Sequence, residues 1–291
     1  MEELGINEGA WRFGSFVAVF AAMILLEALW PRRKRRHSRV KRWATNVGIL
    51  ISSYATISLV TLVLANLLVP ITALLAAIYA QQLGFGLFNW LVWPLWIEWA
   101  IAFLVLDFVI WGQHWATHKI PVLWRLHRVH HADHDIDAST AIRFHPLEIL
   151  FSIFVKAAAV MFLGADAVIV VIFEGVVNAS ALFNHANLKL PLWLDRIVRP
   201  IIVTPDMHRV HHSVDVGETN SNYGFALSLW DRLFGTYIDQ PKLGHEDMII
   251  GLNDYQKEGP EHFWWSIRFP FVGKQKAQQT DEVSKSPPGT T

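Results

Sequence analysis

Apolar residues in this chain come in long blocks rather than in strand-like alternation. A membrane-crossing helix needs about 20 predominantly apolar residues at about 1.5 Å rise each. Five stretches qualify: Phe13–Trp30, Val47–Val69, Leu87–Trp111, Leu147–Leu163 and Ala167–Phe183. Glu27 lies near the end of the first, and Glu98 and Asp107 interrupt the third. Gly164 and Asp166 separate the last two and predict a helical hairpin. The shorter run Ile71–Ala80, after Pro70, suits a re-entrant or interfacial helix. The expected fold is therefore all-α and integral to a membrane, with about five transmembrane helices.

Composition supports lipid as part of the solvent. The 291 residues are 53% hydrophobic and 17% charged, against roughly 25% charged in an ordinary soluble domain. Formal net charge is zero, so no global basic field argues for nucleic acid. With no cysteine, disulfides, thiolate metal sites and Cys nucleophiles are excluded. The first residues carry Glu2, Glu3 and Glu8 rather than a basic leader, so the first apolar block reads as a permanent anchor.

Loop charge predicts orientation. Between Pro31 and Asn46 lie Arg32, Arg33, Lys34, Arg35, Arg36, Arg39, Lys41 and Arg42, whereas 70–86 and the turn at Gly164 have no Lys or Arg. Basic short loops stay cytoplasmic, so the N-terminus is expected outside. Plain topology explains the basic run; a lipid-headgroup site is the sharper alternative. Trp30, Trp43, Trp111 and Trp115 would mark the inner interface, and Trp90 and Trp93 the outer one. This topology sends every histidine cluster to the cytoplasmic face.

Those clusters carry the chemistry. They are His114 with His118, then His127, His130 and His131, then His185 alone, then His208, His211 and His212. On a helix, residues three and four apart are neighbours, about 5–6 Å between Cβ atoms. Each group can thus present two or three imidazoles from one rigid element. A tetrahedral zinc uses three or four protein ligands, and nine histidines are too many for one ion and suit two. His185 is weaker on spacing alone: it stands at the end of the fifth span, where an interfacial hydrogen-bonding role is the alternative. His145 precedes Pro146 and reads as a helix-boundary residue. His134 belongs to the same region without an assigned role, and His37, His245 and His262 read as surface residues.

Asp107 lies seven residues before His114 and could orient a metal-bound imidazole, with a salt bridge as the plainer reading. Glu98 and Glu174 have no assignable role. No HExxH, Glu-x-x-His, P-loop or dinucleotide fingerprint occurs. A membrane zinc hydrolase would need a general base that no HExxH supplies. A metal transporter would place its site near the bilayer midplane, and a bis-His haem protein needs histidines on facing spans.

From Asp107 to Tyr237 the chain resembles the fatty acid hydroxylase/sterol desaturase family of membrane proteins. The resemblance rests on Asp107-Phe108, His114 and His118, Leu126–His131, Arg143-Phe144-His145-Pro146, Asn184-His185, Thr204–His212, Asn222-Tyr223-Gly224 and Trp230–Tyr237, in that order. Trp115 departs from the Arg that relatives commonly carry there. The resemblance implies a cytoplasmic helical cap over a di-metal site, held by His114, His118, His127, His130, His131, His208, His211 and His212 with His185 as the additional ligand. It implies two iron ions (zinc can occupy such ligands after purification), O2, a lipid substrate, and electrons from a separate ferredoxin- or cytochrome-type donor. Hydroxylation or desaturation of an unactivated C–H bond is the expected reaction. The expected organisation is an anchor region over 1–100, a catalytic domain over 101–240, a cap segment over 241–273 and a disordered tail over 274–291. The absence of cysteine and of a retrieval lysine motif is compatible with a bacterial inner membrane.

Overall fold

The computed structural model describes residues 8–65 and 72–272, and every element named in them is helical. Five helices are long and apolar enough to cross a membrane: α1 (Glu8–Leu29), α2 (Arg39–Ala65), α5 (Leu95–Lys119), α7 (Pro146–Leu163) and α8 (Ala167–Asn184). This is an integral membrane protein. The end of the predicted span Val47–Val69 and the tail 274–291 lie outside the described residues.

Two boundaries differ from the reading of the apolar blocks. The third block splits into the short α4 (Leu87–Trp90) and α5, which begins only at Leu95 after Pro94. Proline lacks the backbone N–H and disfavours helix in the residue before it. Helix α5 then continues past Trp111 to Lys119, so His114 and His118 share one unbroken helix with the membrane span. The run after Pro70 forms α3 (Ala73–Leu83), eleven residues capped by Thr72 and ended by left-handed Gly84. At about 1.5 Å per residue it is too short to cross. Its Ala73, Ala76, Ala77 and Ala80 are buried, and small residues let helices approach closely. It packs chiefly on α7.

The hairpin α7–α8 turns at Gly164 (φ 67°), and Asp166 caps α8 by accepting from Val168 N at 2.8 Å. Gly86 (φ 104°) presses onto this turn: a Cβ there would lie 2.3 Å from Gly164 N. Neither glycine tolerates a side chain. Glu98 accepts from Asp166 N at 3.1 Å, tying α5 to the same turn. The intramembrane core joins Leu106 and Ile110 of α5, Val160 and Leu163 of α7, and Val170 and Phe173 of α8.

At the opposite ends of these helices lies a layer of short elements: α6 (Pro121–His131), a 3-10 turn (Ala138–Ile142), α9 (Leu192–Val198), α10 (Pro205–His211), α11 (Val216–Thr219), α12 (Leu229–Leu233), α13 (Gly244–Asp247) and α14 (Phe263–Arg268). The basic run from Arg32 to Arg42 is built into this layer. Arg42, fully buried, donates to both oxygens of Asp133 (2.6 and 2.8 Å) and to Asp137 (2.8 Å). Arg32 meets Asp206 at 3.2 Å, and Arg33 donates to the carbonyls of His245 and Met248. Buried Glu27 accepts from Ala138 N and Asn187 N and pairs with Arg35. Arg143, also fully buried, donates to Val129 O, Asn46 Oδ1, Pro260 O and Ser266 Oγ, joining α6, α2 and the C-terminal segment. Trp111 is buried too, and donates to Asp231 at 3.0 Å; it is not the interfacial anchor the sequence suggested. Apolar periodicity placed it at a span end, but α5 runs on into the layer.

Candidate metal centre

All nine candidate histidines are buried and converge, but they divide in a way spacing alone does not reveal. His114, His118, His127, His131 and His211 form one group of ring nitrogens. His130, His185, His208 and His212 form the other. Within each group the candidate ligand atoms lie within 4.8 Å of one another. Each His-x-x-His-His triplet straddles both groups. His127 and His131 turn one way while His130 turns the other; His211 joins the first group while His208 and His212 join the second. The pairs spaced by four stay together, as one helix stripe requires. The two half-sites therefore share α6 and α10 as common walls.

The hydrogen bonds test whether metal fits. A carbonyl can only accept, so a ring nitrogen facing one carries its proton and leaves the other nitrogen bare. His114 Nδ1 donates to Tyr223 O, His211 Nδ1 to Ser221 O and His185 Nδ1 to Ala181 O, each at 2.7 Å. His127 Nδ1 lies 2.5 Å from Glu148 Oε1. The Nε2 atoms of His114 and His127 are thus both bare, yet they face each other at 3.1 Å. In the second group, bare His185 Nε2 faces His130 Nε2 at 3.0 Å and His208 Nε2 at 3.1 Å. The facing lone pairs of His114 and His127 repel unless a cation lies between them. Neighbouring donors at a metal–nitrogen distance of about 2.0–2.1 Å stand roughly 3.0–3.4 Å apart. Both nitrogens of His118, and Nε2 of His211 and of His212, are buried without a partner. The residues fit two ions.

Electrostatics agree. Burial holds the His127 imidazole down at about 3 and that of His185 at about 4. Burial, aided by neighbouring imidazoles, also lowers His130, His131, His208, His211 and His212 well below the usual histidine range. All are neutral near pH 7, the form that ligates metal.

Asp107 does not take the orienting role considered for it. Its Oδ2 accepts from Trp230 Nε1 at 2.8 Å, and no histidine hydrogen-bonds it among the described residues. The carboxylate that does hold an imidazole is Glu148, which sequence reasoning passed over. The signal was present: an acid within an apolar span, as Asp107 is. Asp231 supports the site indirectly, accepting from Tyr223 N, Gly224 N, Trp111 Nε1 and Thr236 Oγ1. It thereby fixes the carbonyl that orients His114. Phe144 stacks on His130 at 4.3 Å. His145 caps α7, accepting from Leu147 N at 3.2 Å. His134 meets Tyr255 O at 3.1 Å. His37 and His262 are exposed, but His245 is buried at 4%, sealed under Arg32 and Arg33 of the basic run. Its isolation in sequence concealed that contact.

A cavity of about 490 Å³ opens at His114, His127 and Glu148 and runs between α1, α2, α5, α7 and α8. The candidate ligands all fall within residues 99–236, which a fatty acid hydroxylase family model matches. The match takes in just under half of the chain. The chain is similar to ornithine lipid hydroxylase OlsE of Rhizobium tropici, 30% identical over 161 residues, covering 54% of this chain and 47% of that protein. It is similar to alkylglycerol monooxygenase of Homo sapiens, 28% identical over 174 residues, covering 58% of this chain and 36% of that one. A cholesterol 25-hydroxylase-like protein of Danio rerio is 30% identical over 148 residues, covering 50% and 55%. The chain thus spans about half or less of the lengths of the first two relatives. No solved structure matches significantly. The matched segment begins within α5 and ends beyond α12, so it contains every candidate ligand.

Proposed function

We propose that this protein is an O2-dependent oxygenase that hydroxylates or desaturates an unactivated C–H bond of a membrane lipid. The observation that carries the reading is the pair of adjoining all-histidine groups, the first of which opens at His114 and His127 into a cavity between membrane helices. The relatives named as lipid hydroxylases and monooxygenases support it.

His114, His118, His127, His131 and His211 would hold one iron, and His130, His185, His208 and His212 the other. When bound, the iron pair supplies activation of O2 for C–H cleavage, chemistry no side chain performs. The protein's share is positional. Glu148 and the carbonyls of Tyr223, Ser221 and Ala181 fix the tautomers that leave Nε2 free. Burial keeps the imidazoles neutral and water out. The cavity brings an apolar chain sideways from the bilayer to His114 and His127. Hydroxylation consumes O2 with two electrons and two protons, giving alcohol and water, and a separate ferredoxin- or cytochrome-type protein would deliver the electrons. The basic run pairs with the histidine layer through Arg32, Arg33 and Arg42. Positive loops stay inside, so the site would face the cytoplasm, in a bacterial inner membrane for a bacterial source.

The test is metal content and reductant-driven O2 uptake in protein prepared anaerobically from iron-supplemented cells. About two irons per chain, with uptake lost in His127→Ala and His211→Ala, is expected. One metal or none in folded protein, with uptake indifferent to both substitutions, would overturn it and favour a hydrolase or a non-catalytic metal protein.

A further inference from the structure

The cavity is not lined as a plain hydrocarbon chamber would be. Helix α7 presents Glu148, Ser152 and Lys156 to it at intervals of four, one polar stripe on a helix otherwise made of apolar residues. Helix α8 presents Glu174 and Asn178, again four apart. These side chains meet at a charged cluster. Lys156 Nζ lies 2.8 Å from Glu174 Oε1, and Arg12 Nη1 of α1 lies 2.7 Å from Glu174 Oε2. Lys156 stands seven residues from the end of α7 and Glu174 seven from the start of α8, so both sit about 10 Å inside the span.

Ionisable groups at membrane depth are costly and mark substrate pathways more often than scaffolding. A salt bridge alone would need one partner on each side; here three charged residues from three helices face one cavity. Ser152 and Asn178, on the same wall, make no side-chain hydrogen bond to another described residue. The cluster also has a defined distance from the metal end. Glu148, which holds His127, is eight residues from Lys156 on the same helix, about 12 Å along its axis.

We propose that Lys156, Glu174 and Arg12 form a polar subsite for a hydroxyl or amide group of the substrate, about 12 Å along α7 from Glu148 at the histidine end of the cavity. The proposal rests on the reading of the cavity as the substrate chamber. A hydroxyl or amide matches the cluster because it both donates and accepts: Lys156 and Arg12 are donors only, and Glu174 accepts. Glu174 offsets one of the two cationic charges, and a neutral hydroxyl or amide adds no further charge to the bilayer. The substrate class is then a lipid with a hydrogen-bonding group part-way along or at the end of the chain lodged in the cavity, not a bare hydrocarbon tail.

Competition between hexadecan-1-ol and n-hexadecane tests this. Purified full-length protein in detergent is exposed anaerobically, without reductant, to an equimolar mixture, and the retained ligand is quantified by gas chromatography. A site that offers hydrogen bonds discriminates strongly against an analogue that cannot make them. Wild type should retain the alcohol at least tenfold over the alkane. Lys156→Met/Glu174→Met should bring the ratio close to one while the alkane still binds. Asn178→Leu and Ser152→Ala, which break no ion pair, should lower it severalfold and serve if the double variant does not fold. Equal retention of alcohol and alkane by wild type would overturn the proposal, as would an unchanged ratio in folded variants. The measurement needs neither O2 nor electrons. A protein that shows the preference, loses it in the variants and yet consumes no O2 would uphold the subsite and overturn the oxygenase reading.

Discussion

Glu148→Gln separates the two half-sites. Glu148 Oε1 lies 2.5 Å from His127 Nδ1, and both side chains are buried. The carboxylate fixes the proton on Nδ1, turns Nε2 toward the five-histidine group and makes the imidazole a stronger donor. Losing such an outer partner of a metal ligand typically weakens metal affinity about 10–100-fold. That corresponds to about 1.4–2.7 kcal/mol. Glutamine can still accept from Nδ1, so the lower figure applies to Glu148→Gln and the upper to Glu148→Leu. Chelator competition followed by elemental analysis of the protein would read it. One ion per chain should become 10–100-fold easier to extract, while the ion held by His130, His185, His208 and His212 stays as in wild type. Asp107→Asn is the control and should leave both ions unchanged, because Asp107 is engaged by Trp230. Equal loss of both metals in Glu148→Gln at an unchanged melting temperature would refute the division into half-sites. So would no loss in Glu148→Leu.

Three further outcomes are expected. His118→Ala should weaken one ion and His212→Ala the other, each leaving about one metal per chain by elemental analysis; coincident loss of both ions in each variant would contradict the partition. Arg42→Met leaves Asp133 and Asp137 buried without their guanidinium, which should cost about 3–5 kcal/mol, read as a lowered thermal midpoint in detergent. Burial sets the His245 imidazole at about 4, below its value of about 6.5 in an unfolded chain. The unfolded state therefore binds the extra proton first as pH falls. The stability of this neutral histidine is complete above about pH 6.5 and is lost as pH falls through 4, a decline of about 2 kcal/mol between pH 7 and 5. His245→Gln should flatten that part of the stability–pH profile, and a profile as steep as wild type would count against the burial argument.

What the sequence determined by itself was the set of membrane helices and the identity of the metal-ligating candidates. Both are local properties. Twenty apolar residues have one stable solution in lipid, a helix, and histidines spaced by three and four must share a face wherever that helix goes. The kink at Pro94 was equally local and was legible, yet the apolar run across it hid the boundary. What only the tertiary structure decided was everything set by contact between distant segments. It split each histidine triplet between two groups of ring nitrogens. It paired His127 with Glu148, twenty-one residues away, and sent Asp107 to Trp230, 123 residues away. It turned Arg32, Arg33 and Arg42 from a topology signal into struts over the site, and buried His245 beneath them. Helix periodicity carries no information about which helix stands opposite. That is fixed by packing and by the need to pair every buried charge, and both become visible only when the chain has closed around the site.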